Sequence, residues 1–138
     1  MAVTGNNIIT PQTPFSATAI AVTADVAWHA PVNMVTLVDD ATDNVNGLRL
    51  TSIYAIQRAA TAGNLNCVLY KKVGSVYTLL DSVLMTNTTP LATVANAKAD
   101  FGYSEDNPLV LKPGVGLAVA IGSTITNGVT FACRGAAY

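Results

Sequence analysis

The stretch "LNCVLYKKVGSVYTLLDSVL", residues 65–84, constrains the fold more than any other part of the chain. Two runs rich in β-branched, aromatic and aliphatic residues flank Gly74-Ser75, and a two-residue turn with Gly first closes a β-hairpin. The spacing predicts strands Leu65–Val73 and Val76–Leu84. Apolar residues elsewhere also recur with period two, and a sustained helical period is absent.

The remaining elements follow from the same pattern. Residues 1–15 are polar, rich in Thr, Asn and Pro, and read as an extended N-terminal arm. Ile8, Ile9, Pro11 and Phe15 are its candidate contact residues. Strands are expected at Ser16–Val22 and Met34–Asp39, with Pro31 blocking a continuous central strand between them. "DDATDNVNG" (Asp39–Gly47) reads as a loop. Leu48–Arg58 reads as a long central strand, with Leu48, Leu50, Ser52, Tyr54 and Ile56 on one face. Residues 93–103 alternate Ala95, Ala97, Ala99, Phe101 and Tyr103 with polar residues or glycine. A helix would scatter these positions around its circumference, so the reading is a strand in place of an Ala-rich helix. Pro113-Gly114 fits a type II turn, where Gly supplies positive φ. Strand Gly116–Ile121 follows, with Leu117, Val119 and Ile121 on one face. Asn127-Gly128 marks the next turn, before Val129–Arg134 with Val129, Phe131 and Cys133 inward. About eight strands at this spacing describe one all-β domain over residues 16–138, an antiparallel sandwich or barrel.

Composition narrows the function classes. Hydrophobic residues make up 51% of the 138 residues and charged residues only 11%, against roughly 25% charged in an ordinary domain. A surface so poor in charge suits a subunit whose faces are covered by partners. The net charge is −1, and the largest basic cluster is Lys71-Lys72. Nucleic-acid binding needs more cations than that. The first fifteen residues lack the basic and apolar regions of a secretory leader, and no apolar run is long enough to span a bilayer. The expectation is therefore a cytoplasmically made protein with no membrane partner. Cys67 and Cys133 are expected as buried reduced thiols, and Asn87-Thr88-Thr89 is not expected to be glycosylated.

Chemistry-bearing residues are few. His29 is the sole histidine, which excludes a zinc site built on two or three imidazoles. Beside Trp28 and just ahead of Pro31, it reads as a loop residue in a packing role. Asp39, Asp40 and Asp43 lack the ordered spacing and bidentate glutamate of a calcium loop. As strand neighbours, Asp39 and Asp40 would face opposite ways, so they form no acid–base pair. Gly114 and Gly116 lack the following helix and lysine of a phosphate loop. Tyr70, Tyr77, Tyr103 and Tyr138 are scattered over four segments and read as core-edge residues or as parts of a sugar-binding surface. The expectation is a protein without catalytic residues, cofactor or metal.

The ordered features resemble a group of small virion proteins of tailed bacteriophages. The motifs are Tyr77, Leu79 and Asp81 at the hairpin; Pro90, Ala92, Thr93 and Val94; Leu111, Gly114, Leu117 and Val119; and the closing Gly135 and Tyr138. The resemblance covers about residues 16–138 and leaves the arm unmatched. It implies a jelly-roll-like β-sandwich, usually oligomeric and often trimeric, that decorates the capsid or sits on the tail. It assigns no catalytic residues. The expected function is a capsid cement or decoration protein, assembled onto the virion in the host bacterial cytoplasm. Its expected partners are itself and the major capsid protein or other virion proteins. The alternatives are a tail or head-fibre component, or a carbohydrate-binding module contacting host glycans.

Overall fold

The computed structural model describes Pro11 and residues 13–138. Among the described residues the chain is all-β, with nine strands in two antiparallel sheets that pack as a sandwich. The strands are β1 (Thr13–Ala21), β2 (Val35–Val38), β3 (Leu48–Gln57), β4 (Leu65–Val73), β5 (Val76–Met85), β6 (Lys98–Asp100), β7 (Leu109–Leu111), β8 (Gly116–Ile121) and β9 (Val129–Ala137). One sheet runs β1-β9-β3-β6, with β7 also on β3; the other runs β2-β8-β4-β5.

The expected hairpin is present. Val73 pairs with Val76 around Gly74, whose φ of 59° is the left-handed value that a two-residue turn demands of its first residue. The type II turn at Pro113-Gly114 is also present, closed by a 3.2 Å bond from the Val115 N–H to the Lys112 carbonyl.

Side chains from both sheets meet in one core. Leu48, Leu50, Ile53, Leu65, Leu69, Leu117, Ile121 and Phe131 are all fully buried there. Each such burial stabilises the fold by roughly 1.5–3 kcal/mol. The exposed Arg49–Glu105 pair, at 3.0 Å, adds less than about 1 kcal/mol. Stability therefore lies in the core, and the surface charges serve mainly to position loops.

The structure corrects the sequence reading in several places. β1 begins at Thr13, so Phe15 belongs to the strand, pairs with Gly135 and packs on the core. It is not an arm residue. Pro11 is half-buried, and Ile8 and Ile9 lie outside the described residues. In β3 the core face is Leu48, Leu50, Ile53, Ala55 and Gln57. The pairing with β9 skips Thr51, which makes an extra residue in β3 and turns Tyr54 and Ile56 outward. Only Lys98–Asp100 of residues 93–103 is strand; ahead of it, Leu91 and Val94 exchange backbone bonds in a tight turn. β7, not expected at all, pairs with Leu48–Leu50. β9 runs three residues past Arg134, to Ala137.

Candidate interaction surface

The two outer faces of the sandwich differ. On the β2-β8-β4-β5 sheet, Val68, Tyr70, Ala118 and Ala120 point away from the main core, yet all are buried. The segment between β1 and β2 covers them, laying Trp28 and Met34 over them while Tyr77 closes in from β5. Asp25 fixes this segment. Its carboxylate is buried and accepts bonds from the Val32 and Asn33 N–H groups at 3.0 and 3.1 Å, while its own N–H donates to Ile121. The Tyr70 hydroxyl completes the attachment, donating to the Trp28 carbonyl at 3.0 Å. Burial, with the Asp25 charge nearby, raises the Tyr70 pKa and keeps this donor protonated.

Between Val26–His29 and Tyr77–Leu79 lies an open cleft of about 660 Å³. His29 is exposed on its wall and has no carboxylate partner among the described residues. The cleft offers the Trp28 and Tyr77 rings, the His29 imidazole and the Thr78 hydroxyl as a contact surface.

The outer face of the other sheet is left largely open. Thr18, Ile20, Arg134 and Asp100 are exposed there, and Tyr54 and Ile56 are half-buried. Tyr54 is held between two cations, with Lys98 Nζ 4.2 Å and Arg134 Cζ 5.9 Å from its ring centre. Such contacts contribute roughly 0.5–1 kcal/mol at exposed sites.

The acidic residues singled out in the sequence are engaged in structure. Asp39 accepts from the Ala41 and Thr42 N–H groups at 2.9 Å each. Those bonds, from Thr42 and then Ala41, hold its pKa below the usual carboxylate value. Asp40 binds Lys72 Nζ at 2.6 Å and the Gly74 N–H at 2.6 Å, joining the β2–β3 loop to the hairpin turn. Lys72 and then the Gly74 N–H lower the Asp40 pKa. The loop is not solvated throughout, because Asn44 is buried and donates to the carbonyls of Lys112 and Val115.

The tyrosines do not form one platform. Tyr70 is buried, Tyr77 lines the cleft, Tyr103 donates to Asp81 at 3.3 Å, and Tyr138 packs at Gly47. Cys67 and Cys133 are unbridged and buried, and burial pushes each thiol up to about 12. Among the described residues, no group of three or more His, Cys, Asp or Glu is placed to hold a metal ion.

Sequence reasoning missed two features of this surface. The cover over Tyr70 and Ala118 had one legible signal: the fully apolar run Leu117–Ile121, which alternation alone would not require. The open flank formed by β5 and β7 had none, because β7 is only three residues long. No family model, curated protein or solved structure matches the chain.

Proposed function

We propose that this chain is a structural subunit of a tailed-phage virion, a capsid cement or decoration protein that acts as a homo-oligomer. The observation that carries the proposal is an open sheet face and an apolar edge strand on a chain with 11% charged residues. Such surfaces suit burial against neighbours on a symmetric lattice, where many modest contacts add through avidity.

The strand orders support the same reading. With β6 and β7 counted as one interrupted strand along β3, the sheets pair first, last, third and sixth strands against second, seventh, fourth and fifth. This order supports the expected double Greek key, the jelly-roll arrangement common in capsid proteins. The phage assignment itself rests on the motif resemblance from Tyr77 to Tyr138.

Particle binding tests the proposal. The protein is expected to co-sediment with heads of the phage that encodes it, and removal of residues 1–12 is expected to lower occupancy while leaving the fold intact. The deletion stops at Gln12 because Phe15 is part of β1. Absence of the full-length protein from heads would overturn the cement reading.

The Trp28–Tyr77 cleft favours a second reading, contact with host glycans through aromatic rings. Reproducible hits on a glycan array, lost in Trp28→Ala, would support it.

A further inference from the structure

Two of the chain's asparagines stand directly before a glycine: Asn46 before Gly47 and Asn127 before Gly128. In such a pair the asparagine side chain is most open to attack by the main chain, because glycine has no Cβ to hinder the approach of its own nitrogen. That nitrogen attacks only where its N–H is free of a hydrogen bond and the backbone is able to turn toward the side chain.

The fold treats the two pairs differently. Both asparagines are exposed and both glycines are buried, so the difference lies in the backbone bonds. In the β8–β9 turn, the Gly128 N–H donates to the Ile125 carbonyl at 3.0 Å, and Asn127 is held at a φ of 66°. The Asn127 carbonyl accepts from the Arg58 guanidinium at 2.9 Å, and the Gly128 carbonyl accepts from the Arg58 N–H at 3.2 Å. Gly128 also lies so close to β1 that an added Cβ would stand 2.6 Å from the Ala21 carbonyl oxygen. This peptide is fixed on both sides.

Asn46 sits in the loop that leads into β3, beside Val45, which is 65% exposed. The Gly47 N–H has no acceptor among the described residues. Gly47 is tied through its carbonyl, which accepts from the Tyr138 N–H at 3.1 Å.

We propose that Asn46 is a site of spontaneous deamidation and that the turn at Asn127 protects the second pair. The Gly47 nitrogen attacks Asn46 Cγ, and the new N–Cγ bond closes a succinimide ring. The Cγ–Nδ2 bond breaks, and Nδ2 leaves as ammonia with the proton from the Gly47 nitrogen. Solvent water then opens either imide C–N bond, giving aspartate or isoaspartate. Either product adds a negative charge to a loop that already carries Asp39, Asp40 and Asp43. Isoaspartate also lengthens the main chain by a methylene just ahead of Gly47, which loosens the bond from Tyr138 that closes the end of β9 on β3. This inference goes beyond the virion reading and stands without it, since it concerns the isolated chain.

Ageing the full-length protein in mildly alkaline buffer, followed by peptide mapping with mass spectrometry, tests it. In native protein, conversion at Asn46 is expected to run several times faster than at Asn127. In protein aged in urea the two sites are expected to convert at similar rates, because both turns are lost. Equal conversion at the two sites in native protein, or faster conversion at Asn127, would overturn the proposal. So would an Asn46 that stays intact in native protein yet converts in urea. Thermal melting gives a second readout. Aged wild type is expected to melt below equally aged Asn46→Gln, whose longer side chain closes the ring far less readily. Equal melting with Asn46 converted would overturn the loosening of the Gly47–Tyr138 closure.

Discussion

Gly135 lies opposite Leu50 where β3 carries its extra residue, and the two backbones approach so closely that a Cβ on Gly135 would overlap the Arg49 carbonyl. The same Cβ would come within 2.7 Å of Leu50 Cα. The atoms in the way are backbone in a central ladder and cannot swing aside. Gly135→Ala is therefore expected to destabilise the fold by about 1–3 kcal/mol, the usual range for overpacking. Urea denaturation checks this, and an unchanged midpoint would contradict the close approach.

The attachment of the Trp28 segment is separable from the core. Tyr70→Phe keeps the ring but removes the donor to the Trp28 carbonyl, so a loss of about 0.5–1.5 kcal/mol is expected. Trp28 is the only tryptophan, and its fluorescence is expected to shift to the red as the segment loosens. Stability and emission both identical to wild type would show that the bond contributes nothing.

Asp40 makes stability depend on pH. Its folded pKa is lowered, first by Lys72 and then by the Gly74 N–H, so its contribution is complete above the unfolded value of about 3.9. That contribution is lost as pH falls through the lower folded value. Asp40→Asn is expected to be less stable than wild type at pH 7, with the gap closing below about pH 3.9. Thermal melts across that range check the sign. A gap that widens in acid would reverse it.

The two cysteines report on the core. With both thiols pushed up to about 12 by burial, little thiolate exists at neutral pH. Native protein is expected to resist a thiol reagent at pH 7.5, and denatured protein to react at both sites. Rapid labelling of the native protein would place a thiol outside the core.

Much of this fold is legible in the sequence, for a physical reason. Strands β4, β5, β8 and β9 announce themselves because apolar β-forming runs and turn residues agree; Gly74 and Gly114 occupy the left-handed positions that their turns demand. β3 exposes the limit of that reading. Counting by two from Leu48 puts Tyr54 and Ile56 in the core, and the bulge at Thr51 reverses the count. A bulge is set by the partner strand's close approach at Gly135, which no local pattern in β3 encodes. β6 and β7 are three residues each and pair with opposite ends of β3, so neither is long enough to carry an alternation of its own.

The candidate surface was less legible than the fold. Phe15 reads as an arm residue until its pairing with Gly135 is seen. The apolar flank joins Leu80 to Leu109 and Leu111, which stand 29 and 31 positions further along the chain, so only the folded topology brings it together.

The most direct test of the central claim is the solution mass of the purified full-length protein, measured by light scattering during size exclusion. An assembled virion subunit predicts a stable oligomer, and the motif resemblance predicts a trimer at three times 14.2 kDa. A species that stays at 14.2 kDa even at high concentration would contradict the homo-oligomeric subunit.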